Sequence, residues 1–134
     1  MTIVVDTSVV LALIVAHDES HRRAADFYAA LDEDLVTTPL AVAEMDYLVG
    51  RRGGRAGAEA LWSAFDSGAI TVRWWATAMP ETLAIARARP GLGLADASLL
   101  ALARIASTSR IATFDRKHFL AARTADGQAF TLLP

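Results

Sequence analysis

Short β-branched runs alternate with helical stretches along the whole sequence. Four runs are too short for helices and rich in strand-forming residues: Thr2–Val5, Leu35–Thr37, Ile70–Trp74 and Arg110–Phe114. A fifth, Phe130–Leu133, lies at the end of the chain. The segments between them carry apolar residues at helical spacing. Strands that alternate with helices predict an α/β fold with a mostly parallel central sheet covered on both faces, a three-layer α/β/α sandwich.

The helical segments have recognisable starts and ends. Thr38 followed by Pro39 is a typical helix start, and the glycines between positions 50 and 54 are expected to end that helix. The residue types of Asp6, Thr7 and Ser8 also favour a helix start. We predict helices over Val9–Val15, Asp18–Leu31, Pro39 to Val49 or Arg52, Ala56–Ser67, Pro80–Arg89 and Ala95–Ala106, and a short helical turn after Asp115.

Length and composition predict one globular domain over residues 1–134. The chain is 54% hydrophobic and 21% charged, which is enough apolar material for a core. It contains no cysteine, and this excludes a disulfide scaffold, a thiolate zinc site and a cysteine nucleophile. The catalytic possibilities that remain depend on oxygen and nitrogen ligands.

Nothing in the sequence predicts export or membrane insertion. The segment Met1–Asp6 has no basic region, and a carboxylate interrupts its apolar run, so we expect no signal peptide. The longest apolar stretch, Val9–Ala16, is far shorter than the roughly 20 residues that span a bilayer. We therefore expect a cytoplasmic protein with no membrane contact.

Four acidic residues lie where predicted strands end or helices begin. Asp6 and Asp115 follow the first and fourth strands, at the rim where parallel sheets bind ligands. Glu44 is predicted to share a helical face with two leucines, which is costly for a carboxylate without a partner. Asp96 begins the sixth helix, where the helix dipole alone would favour an acid. Each acid has an ordinary structural explanation, but together they predict one acidic site.

Such a site favours a divalent cation. Converging carboxylates repel one another, and a hard cation relieves that repulsion. With no cysteine and no convincing histidine set, an all-oxygen site favours Mg²⁺, with Mn²⁺ as a substitute, over Zn²⁺. The net charge of −2 argues against a simple electrostatic nucleic-acid binder, but the remaining surface becomes slightly basic when these four acids are set aside.

Four motifs in this order resemble those of PIN-domain ribonucleases. They are Val4–Val10, Ala43–Met45 with its central acid, Gly93–Ala97 and Ile111–Phe119. Length and motif order are similar to the VapC toxins of bacterial type II toxin–antitoxin pairs over essentially the whole chain.

The resemblance implies a metal-dependent endoribonuclease that hydrolyses RNA phosphodiester bonds. Carried over residue by residue, it makes Asp6, Glu44, Asp96 and Asp115 the acidic metal-binding and catalytic quartet. Thr7 or Ser8 matches the hydroxyl beside the first aspartate, and Thr113 matches the hydroxyl two residues before the last. Family members are usually homodimers held inactive by a cognate antitoxin, so both partners are expected here.

Other interpretations remain open from the sequence. The chain could be a catalytically inactive PIN-like module that only binds protein, or a phosphatase of another α/β family. Haloacid-dehalogenase phosphatases need a second aspartate two residues after the first, where this chain has Ser8. The run Arg116–His118 either grips phosphate or forms a solvated turn. Trp74 and Trp75 are expected to pack in the core, unless their alternation exposes one of them as a partner surface.

Overall fold

The computed structural model describes residues 1–134 and contains five strands and six helices. In chain order they are β1 (Thr2–Val5), α1 (Thr7–Ile14), α2 (His21–Ala29), β2 (Asp34–Thr37), α3 (Pro39–Asp66), β3 (Ile70–Val72), α4 (Ala78–Ala88), α5 (Leu94–Ile105), β4 (Arg110–Ala112), α6 (Arg116–Phe119) and β5 (Thr131–Leu133). The predicted alternation of strands and helices is confirmed.

The strands form one sheet in the order β3-β2-β1-β4-β5, and every pairing is parallel. The chain moves outward from β1 to β3, then returns to β4 on the other side of β1. Because crossovers between parallel strands are right-handed, helices α1 to α3 cover one face and α4 and α5 cover the other. The predicted sandwich is confirmed, and its sheet is parallel throughout.

Strand β1 lies at the centre of this sheet and of the core. Ile3, Val4 and Val5 have no exposed surface, as expected for a strand covered on both faces. The pairing with β4 continues one residue beyond β1, because the backbone N–H of Asp6 donates to the carbonyl of Ala112 at 3.0 Å. The position of Asp6 is therefore set by the most buried strand of the molecule.

Helix α3 is two helical segments that meet at Gly54. This glycine has φ of 63°, a left-handed conformation that side chains disfavour. The indole N–H of Trp62 donates to the Asp46 carboxylate at 2.8 Å, although a straight helix would separate these residues by about 24 Å. The chain therefore folds back on itself at Gly54. The predicted break is confirmed there, whereas Gly50 remains helical.

Strands β3 and β4 each end two residues earlier than predicted. For β3, the reason is that the neighbouring strand β2 ends. Thr37 pairs with Val72, and the N–H of Arg73 still donates to the carbonyl of Thr37 at 2.9 Å. The chain turns into α3 directly after Thr37, so β2 offers no further residue for β3 to pair with. Trp74 is consequently outside the strand and 39% exposed, while Trp75 packs partly against the core. None of the helices combines the length and apolar character needed to cross a membrane.

Candidate metal centre

The predicted site residues meet at the carboxyl edge of the sheet. Strands β1 and β4 are neighbours, and the strand order reverses beside them. Such a reversal opens a crevice beyond the carboxyl ends of the strands, where α/β proteins bind ligands. Asp6 directly follows β1, Asp115 lies three residues beyond β4, and Asp96 lies in the first turn of α5.

Asp6 is buried and held by two hydroxyl groups. It precedes α1, but its side chain makes no capping bond and is free for other contacts. The hydroxyls of Ser8 and Thr113 each donate to Asp6 Oδ2 at 2.8 Å. Both residues were predicted as site residues, and the structure brings both to the first aspartate. Thr7 Oγ1 is buried without a partner, so Ser8 is the adjacent residue whose hydroxyl contacts Asp6.

The same two hydroxyls also hold the turn that carries Asp115. Ser8 Oγ accepts the backbone N–H of Phe114 at 2.9 Å, and Thr113 Oγ1 accepts that of Asp115 at 2.9 Å. Each hydroxyl therefore donates to Asp6 and accepts a backbone N–H from the turn that carries Asp115. The relative position of Asp6 and Asp115 is fixed by these four bonds.

The environment of Asp6 disfavours its charged form. Burial raises the pKa of this carboxyl above its ordinary value, and the negative charge of Glu44 adds to the increase. Hydrogen bonds from Thr113, Ser8 and the Thr7 backbone oppose the increase without cancelling it. A nearby cation would remove this penalty.

Asp96 and Asp115 converge on one imidazole. His118 Nδ1 lies 2.9 Å from Asp96 Oδ2 and 2.7 Å from Asp115 Oδ2. One ligand atom from each of the three side chains falls within 4.8 Å of the others. The Asp96 side chain is only 16% exposed, so this contact lies largely inside the crevice.

The pKa of Asp96 shows how strongly the acids interact. This pKa is raised to about 6, mainly by burial and also by the charges of Asp6, Glu44 and Asp115, while His118 opposes the increase. None of the four predicted acids forms an ion pair with lysine or arginine. The acids therefore form one electrostatically coupled cluster whose repulsion the basic side chains of the protein do not relieve.

Glu44 lies at the border of this cluster, and the sequence argument for it was wrong. In the segment of α3 before Gly54, the buried residues are Ala41, Met45 and Val49. The leucines that flank Glu44 at helical spacing are only half-buried, and Glu44 itself is exposed. Its carboxylate does not occupy an apolar stripe. Its charge nevertheless acts on both Asp6 and Asp96, as expected for an acid at the rim of the crevice.

A buried pair of hydroxyls connects the helices that carry Glu44 and Asp96. Thr38 caps α3, as predicted, by accepting the backbone N–H of Ala41. Its Oγ1 also lies 2.6 Å from Ser98 Oγ in α5, and Ser98 donates to the carbonyl of Ala95. These bonds hold the N-terminal turns of α3 and α5 together at the carboxyl edge.

The contact of His118 with Asp96 and Asp115 was not predicted from the sequence. The run Arg116–His118 was interpreted as a phosphate grip or a solvated turn, and the histidine was not grouped with the acids. The spacing of Asp115 and His118, three residues apart across a helical turn, was the available signal. Phe119 is 1% exposed and anchors this turn to the core.

The donor set fits a hard divalent cation. Carboxylate oxygens from Asp6, Asp96 and Asp115 would hold it, with Glu44 at the border. Two of these acids have raised pKa values that a cation would lower, so the chemistry of the site favours metal binding. One imidazole nitrogen also faces the cluster, and an all-oxygen description of the site is therefore incomplete.

An all-parallel α/β sandwich with an acidic centre at its carboxyl edge is a class of fold and site that can support metal-dependent chemistry. Residues 3–125 match the PIN domain family, so the chain belongs to that family. It is 32% identical to Ribonuclease VapC26 of Mycobacterium tuberculosis, over 98% of this chain and 99% of that protein.

A solved structure is also similar. The crystal structure of VapC20 from Mycobacterium tuberculosis, named as a toxin that cleaves the sarcin-ricin loop, matches with a TM-score of 0.73. The match has 25% identity and covers 81% of this chain and 86% of that one. The fold and family expected from the four sequence motifs are confirmed.

Proposed function

We propose that this protein is a metal-dependent endoribonuclease of the VapC toxin type that hydrolyses RNA phosphodiester bonds. The observation that carries the proposal is the convergence of Asp6, Asp96 and Asp115 at the carboxyl edge of a PIN-domain sheet, without a lysine or arginine partner. The similarity to Ribonuclease VapC26 over nearly the full length of both chains supports the substrate class.

The metal ion is proposed to be Mg²⁺, with Mn²⁺ as a substitute. When bound, such an ion activates water and neutralises charge on the scissile phosphate. Asp6 and Asp96 hold it, and Asp115 completes the set of acidic ligands. Ser8 and Thr113 keep the Asp6 carboxylate in one orientation, because both donate to the same oxygen.

Glu44 has a different proposed role. It is exposed, and its charge acts on both Asp6 and Asp96. A carboxylate in this position can accept a hydrogen bond from an attacking water and receive its proton. Glu44 thus orients the nucleophile while the three aspartates hold the ion.

The biological setting follows from the same comparisons. The substrate is RNA, and the inhibiting partner is a cognate antitoxin protein. We further propose that residues 1–134 form one PIN domain, that the protein acts in the cytoplasm without membrane contact, and that it forms a homodimer. Trp62 and Trp74 each keep about two-fifths of their surface exposed, 41% and 39%, and this supports a protein contact surface.

Cleavage of RNA by the purified protein tests the proposal. The wild type, Asp6→Asn and Asp96→Asn are incubated with total bacterial RNA in Mg²⁺ and in EDTA, and the products are separated on denaturing gels. We expect internal cleavage by the wild type in Mg²⁺ only. An Asp66→Asn variant, which changes an exposed acid at the far end of α3, is the matched control and should cleave normally.

Four results would contradict the proposal. Equal cleavage in EDTA would exclude metal dependence, and wild-type rates in both aspartate variants would exclude the site. If the protein does not cleave RNA but binds an antitoxin-like protein stably, the inactive binding module would be favoured. Hydrolysis of a small phosphate ester but not of RNA would favour the phosphatase.

A further inference from the structure

The strongest unexplained feature of the molecule is the position of His118 Nδ1. This atom is buried, although the side chain as a whole is 40% exposed. It lies 2.9 Å from Asp96 Oδ2 and 2.7 Å from Asp115 Oδ2, yet it has no hydrogen-bond partner of acceptable geometry. A buried ring nitrogen that touches two carboxylates without hydrogen-bonding to either requires an explanation.

The spacing of the three atoms matches that of ligands around one ion. Neighbouring ligands on an octahedral ion with bonds of 2.0–2.1 Å lie about 3 Å apart. The two observed separations from Nδ1 are close to this value, and one ligand atom from each of the three side chains lies within 4.8 Å of the others. The absence of a hydrogen bond from Nδ1 to either carboxylate also agrees with a shared ion, since ligands of one ion are directed at the ion and not at one another.

The helical turn that carries His118 is held in position by two contacts. Phe119, the next residue, is 1% exposed and anchors α6 in the core. The half-buried Arg89 guanidinium, at the end of α4, donates to the backbone carbonyl of His118 at 3.5 Å. His118 is thus presented by a supported turn and is not a side chain that reaches the acids by chance.

We infer that His118 Nδ1 is a nitrogen ligand of the divalent ion at this centre and that it shifts the preference of the centre from Mg²⁺ toward Mn²⁺. The inference rests on the metal centre of the proposed function and adds a residue outside the acidic quartet. Imidazole nitrogen favours transition-metal ions, whereas carboxylate and water favour Mg²⁺ and Mn²⁺ alike. An imidazole ligand among carboxylates therefore separates two ions that oxygen ligands alone barely distinguish.

A competing explanation makes the opposite prediction. If His118 were only a counter-ion for Asp96 and Asp115, its removal would free the carboxylates, and the affinity for both metals would rise. If His118 is a ligand, its removal lowers the affinity for Mn²⁺ and leaves that for Mg²⁺ nearly unchanged. The direction of the change separates the two explanations.

Spectroscopy of the Mn²⁺-loaded protein tests for the nitrogen ligand directly. Electron spin echo envelope modulation is recorded for the wild type and for His118→Asn, with MnCl₂ as the only added metal. We expect the modulation of a coordinated ¹⁴N in the wild type and its loss in the variant. His21→Asn is the matched control, because His21 Nδ1 contacts the carbonyl of Ala12, away from the acids, and the signal should persist.

Calorimetric titration of the metal-free proteins with MnCl₂ and MgCl₂ gives the second readout. We expect His118→Asn and His118→Ala to weaken Mn²⁺ binding by about tenfold or more. Binding of Mg²⁺ should change by less than about threefold. Equal weakening of both metals, or tighter binding of either, overturns the inference, as does the absence of nitrogen modulation in the wild type.

The outcomes distinguish this inference from the proposed function. Mn²⁺ bound without nitrogen coupling, in a protein that cleaves RNA, removes only the role of His118. Failure of the wild type to bind either metal contradicts the metal-dependent nuclease itself. Circular dichroism of both His118 variants confirms that they remain folded.

Discussion

Acidic residues have a basic partner at one edge of the sheet and lack a lysine or arginine partner at the other. At the amino edge, Glu33 precedes β2 and forms an ion pair at 3.0 Å with Arg110, which begins β4. Both side chains are partly buried, at 15% and 31% exposure. At the carboxyl edge, Asp6, Asp96 and Asp115 converge without a lysine or arginine, and only His118 contacts two of them.

The acid of the amino edge contributes to stability, whereas the acids of the carboxyl edge are arranged for function. The charged form of a buried acid is disfavoured unless a positive group lies nearby, and Arg110 supplies that group at the amino edge. The carboxyl edge keeps its acids at a cost in stability, as the raised pKa values of Asp6 and Asp96 indicate. Such a cost is typical of a site arranged to bind a cation.

The largest expected effect is a loss of RNA cleavage when an acid of the carboxyl edge is changed, with no such loss at the amino edge. Asp96→Asn keeps the shape of the side chain but removes a charged ligand, so cleavage of RNA in Mg²⁺ should fall by at least about 100-fold. Glu33→Gln at the other edge should leave cleavage within about twofold of the wild type. Initial rates on one RNA, with circular dichroism to verify folding, provide the measurement. Comparable losses in both variants would end the functional distinction between the edges.

The hydroxyls of the carboxyl edge should matter for cleavage more than for folding. Thr113→Val preserves volume but removes one donor to Asp6 and the acceptor of the Asp115 N–H. Hydrogen bonds to charged groups contribute about 1.5–3 kcal/mol, so cleavage should fall by about tenfold or more. The pKa of Asp6 should rise further. Thr71→Val, at an exposed position of β3, should cleave normally; a loss there equal to that of Thr113→Val would contradict a specific role.

The amino edge is expected to contribute to stability. Glu33→Gln leaves the partly buried Arg110 without its partner, and we expect the free energy of unfolding to decrease by about 1 kcal/mol. Asp26→Asn is the control, because the Arg22–Asp26 pair is 92% and 75% exposed and should contribute less than about 0.5 kcal/mol. Urea denaturation of both variants measures the difference. Equal changes would mean that burial does not strengthen the Glu33–Arg110 pair.

The smallest effect concerns the pH dependence of the metal-free protein. The pKa of Asp96 is raised from 3.8 to about 6, so between these values the folded state holds a proton that the unfolded state has released. The contribution of Asp96 to the stability of the wild type therefore decreases as pH rises through this window and levels off at about pH 7, one unit above the folded-state pKa. Solvent screening limits the change to about 1 kcal/mol or less.

Asp96→Asn has no such titration. In EDTA, its stability relative to the wild type should increase from pH 4 to about pH 7 and then remain constant. Thermal denaturation across this range measures the difference between the two curves. A difference that stays flat, or that reverses, would show that the acids at the carboxyl edge do not destabilise the fold.

Much of the fold could be predicted from local patterns. β-branched runs, helical spacing and the Thr38–Pro39 start depend on residues close in sequence, and the structure confirms the elements that they predicted. The break at Gly54 was also predicted, since glycine adopts a positive φ that other residues disfavour. The start of β3 at Ile70 was predicted correctly, but its C-terminal end was not, because that end depends on where β2 ends.

The candidate site shows the same division. Asp6, Asp96 and Asp115 were found because each follows a strand or begins a helix, and parallel topology brings such positions to one edge. Glu44 was predicted for a wrong reason, since the buried face of α3 depends on how that helix packs. His118 was missed as a partner of the acids, because its contact with Asp96 joins residues that are distant in sequence.

The sequence by itself determined the order of strands and helices, the absence of cysteine chemistry and the four acids at element boundaries. These are properties of composition and of neighbouring residues. Only the tertiary structure decided which hydroxyl holds Asp6, that Glu44 is exposed, and that an imidazole nitrogen faces two carboxylates. Each of these depends on distances between separate elements, which arise when the sheet and its two helical layers pack together.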